Sequence, residues 1–241
     1  MLKNILIVGS SGAIGSSFLK ALNQDQKVGK IYALSRGQTA DKVNANKIEY
    51  INIDITNEDE ISLVAAKLSS FEPLNQIIIA TGMLHSKEVM PEKSLHQLNQ
   101  QNLSKLMTVN AFAPVLLIKH FLPLLSKKER TVIAVLSARV GSIADNKLGG
   151  WYSYRAAKAA LNMLIKTTSI EVKRKLPKAI IVALHPGTVD SKLSAPFQSY
   201  VAAGKLFAPE YATKQLLKVI ASLDYKDTGC FYAWDGTKID F

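Results

Sequence analysis

The chain has 241 residues, 48% of them hydrophobic, one cysteine, and 30 Lys plus Arg against 19 Asp plus Glu, a net charge of +11. At this length roughly 70–75% of the unfolded surface can be buried, so the chain needs no staples, and a single cysteine, Cys230, excludes an intramolecular disulfide and fits a reducing compartment. His85, His96, His120 and His185 lack ligand spacing, so no metal is expected, and the densest cations (Lys127, Lys128, Arg130; Lys173, Arg174, Lys175, Lys178) fall at predicted helix ends, which argues for dipole complementation over nucleic-acid binding.

Lys3 to Val8 reads as a buried strand, and its apolar run is too short for a signal peptide or a membrane span. A soluble, cytoplasmic protein with no membrane partner is expected. Gly9-Ser10-Ser11-Gly12-Ala13-Ile14-Gly15 follows, then a helix from near Ser16 whose apolar face carries Phe18, Leu19 and Leu22. Strand, glycine-rich turn and helix form a phosphate-binding arrangement, because small residues let the backbone approach a pyrophosphate at the helix N-terminus. A second strand, Lys30 to Leu34, ends in Ser35-Arg36, where an NAD-binding unit would carry an acidic residue; an arginine there suits a 2′-phosphate, the alternative being a solvated loop arginine. Lys47 to Ile53 is a third strand closed by Asp54-Ile55-Thr56, with Thr56 or Asn57 capping a helix from Glu58 to Leu68. Asp54 thus lies on the ligand-binding side of an open α/β sheet. Leu74 to Ala80, very apolar and therefore central, is ended by Thr81-Gly82.

A long helical region is predicted from Ser94 to Leu125, interrupted by Pro114 and Pro123. Asn110 stands four residues before Pro114, where the hydrogen-bond ladder must be disturbed, and could bind freed backbone groups or a water. A fifth strand, Arg130 to Leu136, delivers Ser137 to its C-terminal edge. The next helix, running to about Lys175, carries Tyr154 and Lys158 four residues apart and so on one face. An ammonium there favours the phenolate and is expected to lower the tyrosine pKa, with help from some desolvation or from a second positive charge such as an oxidised nicotinamide. Ala179 to Leu184 is a sixth strand, stopped by His185-Pro186-Gly187. Periodicity fails from Thr188 to Ala208, a long apolar loop of the kind that serves as a substrate lid. A helix from Pro209 to Ser222 and a seventh strand, Gly229 to Trp234, complete one α/β domain, a Rossmann-type doubly wound parallel sheet of about seven strands with helices on both faces.

The glycine turn at 9–15, Asp54, Asn110, Ser137, the Tyr154-to-Lys158 pair, and Pro186-Gly187 followed by Ser191 together resemble the short-chain dehydrogenase/reductase family along essentially the whole chain. Ser137 to Ile143, Gly149 to Lys158 and His185 to Ser191 look most like its C-factor-like carbonyl reductase group. The resemblance implies Tyr154 as proton donor to a carbonyl oxygen, Ser137 holding that oxygen, Lys158 lowering the tyrosine pKa and binding the ribose, and Asn110 keeping a proton-relay water. It further implies Gly9, Ser10, Ser11, Ile14 and Gly15 at the phosphates, Ser35 and Arg36 at the 2′-phosphate, and Asp54 and Ile55 at the adenine. Ala80, Thr81 and Gly82 would line the adenine ribose, and Pro186, Gly187, Val189 and Ser191 would fix the nicotinamide amide. Ala13 replaces the middle glycine of the family turn, Ile79-Ala80-Thr81-Gly82 replaces Asn-Asn-Ala-Gly, and Ser191 stands for the usual threonine.

The expected function is an NADPH-dependent oxidoreductase acting on an apolar ketone or aldehyde, or on the corresponding alcohol. A nucleotide-binding signalling protein that keeps the fold is the alternative. A homodimer or homotetramer is expected on resemblance, with mild support from the apolar stretch Ala111 to Leu125.

Overall fold

The structure, a computed structural model, describes residues 2–37, 43 and 45–241. In chain order the elements are β1 (Lys3–Val8), α1 (Ala13–Gln24), β2 (Val28–Ser35), β3 (Ile48–Asn52), α2 (Glu58–Leu68), β4 (Gln76–Ile79), α3 (Gln100–Met107), α4 (Ala113–Phe121), β5 (Thr131–Leu136), α5 (Tyr152–Lys175), β6 (Ala179–His185), β7 (Thr188–Val189), β8 (Leu206–Phe207), α6 (Pro209–Ser222) and β9 (Phe231–Ala233). Seven strands form one parallel sheet in the order β3-β2-β1-β4-β5-β6-β9. The expected doubly wound sheet is present. Strands buried on both faces must be apolar throughout, and alternate residues serve opposite faces. Leu6, Val8, Ile77, Ile79, Ile133 and Val135 pack with Ile61 of α2, Leu117 and Phe121 of α4 and Leu161 and Ile165 of α5. Ile5, Ile7, Ile78, Val132 and Ala134 pack on the other face with Phe18 and Leu19 of α1 and Leu216 and Ile220 of α6. The order reverses between β1 and β4, which opens a crevice at the C-terminal edge of the sheet.

The turn after β1 is held from beneath. The amides of Gly9 and Ser10 donate to the Leu34 carbonyl at 2.8 and 3.1 Å, and the Ser10 hydroxyl donates to the same oxygen. Gly9 has φ +86°, and a Cβ on Gly15 would lie 2.1 Å from the Gly9 carbonyl oxygen, so α1 presses directly on the turn. This contact lets α1 begin at Ala13, earlier than the expected Ser16. Asn57, of the two candidates, caps α2 by accepting from Asp59 and Glu60 amides, while Thr56 donates to Asp54.

Several expected boundaries move. The β4 ladder is confined to Gln76–Ile79, with Leu74 reduced to an isolated bridge to Leu125, and the last strand is Phe231–Ala233. The expected helix from 94 to 125 is broken into α3, a π-helical turn at Thr108–Phe112, and α4, with single 3-10 turns at Leu95–Gln97 and Leu122–Leu124. Pro114 is the physical reason for the π turn, since it has no N–H for the Asn110 carbonyl and the ladder widens, Ala113 N–H reaching back to Thr108. The stretch Gln100–Leu124 is apolar and long enough to cross a bilayer by composition; Leu106, Leu117, Ile118 and Phe121 within it are packed in the protein interior. The segment 188–208 is also more ordered than its lost periodicity predicts, because β7 and β8 pair and a 3-10 turn spans Ala195–Tyr200.

Gly15→Ala should lower stability by about 2 kcal/mol, the usual scale for overpacking against a rigid neighbour, measured as the urea midpoint. An unchanged midpoint would show that the turn can yield.

Candidate active site

The C-terminal ends of β1, β4, β5 and β6 surround a cleft of about 1560 Å³. Ser11 and Ile14 enter it from the glycine turn, Ala80, Thr81 and Gly82 from the end of β4, and Ser137 from β5. Tyr154 and Lys158 come from α5, and Pro186, Gly187, Val189 and Ser191 follow β6. Leu84, Met90, Val140, Trp151, Leu193 and Phe197 form an apolar end wall. That combination of an apolar wall and a few convergent polar groups suits a cofactor together with a small molecule.

The other expected site residues lie off the wall. Gly9, Ser10 and Gly15 build the turn from behind, Ser10 being fully buried. Ser35 is buried and its hydroxyl donates to the Gly37 carbonyl at 3.0 Å. Arg36 is exposed at the end of β2. Two hydrogen bonds from Thr56, amide and hydroxyl, hold the Asp54 carboxyl below its usual pKa, with a smaller contribution from the Arg36 charge, so Arg36, Asp54 and Ile55 share the β2–β3 end of the sheet.

Asn110 is fully buried behind Gly82, where its side chain works like a strand partner. Its Oδ1 accepts from the Met83 amide at 2.9 Å, and its Nδ2 donates to the carbonyls of Met83 at 2.8 Å and Leu106 at 3.0 Å. Both amide protons are therefore committed, and Asn110 joins the end of β4 to the π turn. Ser137 is fixed by its amide, which donates to the Leu184 carbonyl at 2.8 Å. Its hydroxyl donates to Asn162 Oδ1 at 2.7 Å.

Tyr154 and Lys158 are both buried, 7% and 2% exposed. The Lys158 ammonium lies 5.9 Å from the centre of the Tyr154 ring and donates to the Leu136 carbonyl at 3.0 Å. In the chain by itself, burial governs the titration of both groups. Burial raises the Tyr154 phenol above its ordinary range instead of lowering it, and the same burial brings Lys158 down to about 8. Desolvation disfavours both charged forms, and it is the cause of both shifts. Burial likewise lowers His185 to about 4, followed by the repulsion of Arg139, so its ring is neutral.

The residues present fit a nicotinamide dinucleotide. Thr81 Oγ1 is buried at the cleft with no hydrogen-bond partner among the described residues. A Cβ on Gly82 would stand 3.8 Å from Lys158 Nζ and 3.4 Å from Asn110 Oδ1, so glycine keeps the space beside the ammonium open.

Two contributors were not read from the sequence. Trp151, before α5, has φ 52°, caps nothing with its side chain, and the first turn of α5 has no acidic residue. Glu92, buried 61 residues upstream, supplies the missing anion: its carboxylate accepts from the Ser153 amide at 3.1 Å and from the Ser153 hydroxyl. No local signal marks it. Asn162 did carry a signal, since it follows Lys158 by one turn on the same helix face.

A family model described as short chain dehydrogenase matches residues 3–201. The chain is similar to 1-hydroxy-2-glutathionyl-2-methyl-3-butene dehydrogenase of Rhodococcus sp. (strain AD45), 28% identical over 241 residues and covering 98% of each protein. It is 31% identical over 147 residues to C-signal of Myxococcus xanthus, covering 61% of this chain and 82% of that one. Carbonyl reductase Sniffer of D. melanogaster superposes with a TM-score of 0.87 at 25% identity over all of both chains. An NADPH-bound carbonyl reductase from chicken fatty liver gives the same TM-score and identity over 100% of this chain and 94% of that one. These matches meet the resemblance expected from the motifs.

The buried Lys158 has a thermodynamic consequence. A fall from 10.5 to about 8 corresponds to about 3 kcal/mol, and removing the ammonium leaves the Leu136 carbonyl without its donor, which costs about 1 kcal/mol. Lys158→Met should therefore stabilise the free chain by about 2 kcal/mol at pH 7. Between pH 8 and 10.5 the folded wild type binds fewer protons than the unfolded chain, so its stability rises with pH and the advantage of the variant shrinks. Urea unfolding of both proteins across that range checks this; a variant that is less stable at pH 7 contradicts it.

Proposed function

The chain belongs to the short-chain dehydrogenase family, and from that membership we propose that it is an NADPH-dependent oxidoreductase that reduces a ketone or aldehyde, or runs the reverse alcohol oxidation. The observation that carries the reading is the buried pairing of Tyr154 and Lys158 on one face of α5, beside Ser137 in the same cleft. When bound, the nicotinamide supplies a hydride to the carbonyl carbon. The C=O π electrons then move to oxygen, and Tyr154 gives its phenolic proton there. A phenol whose pKa is raised by burial is in the protonated state that this step needs. Lys158 sits on the opened side of Gly82, where it can bind ribose hydroxyls and restrain the phenolate left behind. With both side-chain amide protons of Asn110 committed, a relay water is the business of its backbone carbonyl, to which Pro114 cannot donate.

Ser11, Ile14 and the turn they belong to would hold the pyrophosphate, with Gly9, Ser10 and Gly15 shaping it from behind. Ala80, Thr81 and Gly82 would face the adenine ribose, Asp54 and Ile55 the adenine, and Pro186, Gly187, Val189 and Ser191 the nicotinamide amide. Arg36, exposed and without a competing carboxylate at its own position, is the 2′-phosphate ligand; Ser35 supports it by closing the turn through Gly37. Residues 188–208 would act as a lid within a single domain, its Leu193 and Phe197 selecting apolar substrates. Phe112, Met163 and Ile170, exposed on the π turn and α5, support self-association into a homodimer or homotetramer. The buried Cys230 suits the cytoplasm.

Tyr154→Phe should reduce carbonyl turnover to background while NADPH still binds, as measured by cofactor fluorescence; full activity in that variant would sink the reading. A hydrogen bond to a charged group is worth about 1.5–3 kcal/mol, and exposure of Arg36 favours the lower end. Arg36→Ala should thus raise the NADPH Michaelis constant about tenfold with little change for NADH. Equal use of both cofactors by the wild type would make Arg36 a solvated loop residue.

A further inference from the structure

Ser137 has one hydroxyl proton, and the surrounding fold decides where it points. Asn162, on α5 one turn past Lys158, is 2% exposed. Its Nδ2 donates to the Gly141 carbonyl at 3.3 Å, and since a carbonyl only accepts, the amide is oriented with Oδ1 toward Ser137. The anchor is stiff, because the Gly141 backbone lies so close to α5 that a Cβ there would sit 2.7 Å from the Lys158 backbone. Ser137 Oγ is 2.7 Å from that Oδ1, which has no proton, so the serine must be the donor. The side of Ser137 that faces the cleft therefore presents lone pairs. A ketone oxygen also presents only lone pairs and gains no hydrogen bond there, whereas an alcohol O–H can donate to it.

Resting on the reading of this cleft as a carbonyl reductase site, we propose that Asn162 is a positioning residue that withholds the Ser137 proton from the ground-state carbonyl and yields it only as negative charge builds on the reacting oxygen. A charged oxygen accepts about twice as strongly as a neutral amide, so the hydroxyl then rotates from Asn162 to the substrate. Ser137 keeps its proton throughout; only the acceptor changes, and the proton transferred to product comes from Tyr154. A hydrogen bond made in the transition state and absent from the ground state is spent on rate instead of substrate affinity. The same arrangement favours bound alcohol over bound ketone.

The test uses the full chain with phenanthrenequinone and nitrobenzaldehyde as probes. Asn162→Leu removes the acceptor, leaving Ser137 free to donate to the ketone in the ground state. KM should fall about tenfold (~1.4 kcal/mol), kcat should fall by a similar factor, and kcat/KM should stay within about threefold. Calorimetric affinity for the quinone in the presence of NADP+, where no turnover occurs, should tighten by the same factor. Asn162→Ala, which cannot overpack the helix, is read in the same way if the leucine variant does not fold. In a Ser137→Ala background neither substitution should move KM or the quinone affinity. A raised KM in the single variants, or an effect that persists without Ser137, would overturn the role of Asn162 alone. A wild type inactive toward both probes would overturn the reading of the cleft, and the inference with it.

Discussion

Everything at this site depends on an ammonium and a phenol buried together on one helix with, among the described residues, no carboxylate in hydrogen-bond contact with either. Lys158 has the Leu136 carbonyl as its hydrogen-bond partner, and burial is what raises the Tyr154 phenol. A protein interior tolerates such a pair only by biasing both toward neutrality. In the free chain Tyr154 is thereby held protonated, and Lys158 gives up its proton more readily than a solvated lysine. A ligand that brings hydroxyls and a positive ring would shift both.

The fold places this pair by opposing two large apolar layers. One layer carries α1 and α6, the other α2, α4 and α5, and the sheet between them opens a crevice at its C-terminal edge, at the reversal between β1 and β4. Long-range polar contacts then fix what packing leaves free. Glu92 anchors the start of α5, Asn110 ties the end of β4 to the π turn, and Asn162 ties α5 to Ser137 and Gly141. Each joins a loop to a helix on the cleft-bearing side of the sheet. Buried polar groups of this kind are costly if left half-satisfied, so the three contacts together specify one arrangement of the cleft.

Much of this was legible in the sequence because the relevant physics is local. Strands buried on both faces produce unbroken apolar runs such as Ile77 to Ile79 and Val132 to Val135, and Tyr154 with Lys158 share a helix face by spacing alone. Pro114 announced a defect beside Asn110, although not that the defect would be a π turn. What stayed hidden depends on distant partners. Glu92 meets Ser153 across 61 residues with no pattern linking them. The raised Tyr154 phenol of the free chain was not legible, because spacing reveals the neighbouring charge but not the depth of burial. The pairing of β7 with β8 was lost because two-residue strands leave no period.

The central claim is that burial holds Tyr154 protonated in the free chain and that the cofactor's charge, together with Lys158, brings it toward ionisation. Ultraviolet difference titration of the wild type against Tyr154→Phe, with and without NADP+, measures this directly. The account predicts that the free chain ionises Tyr154 above the ordinary tyrosine range of about 10, and that NADP+ moves the transition below it. A Tyr154 already ionised near neutrality in the free chain, or one that NADP+ does not shift, would contradict it.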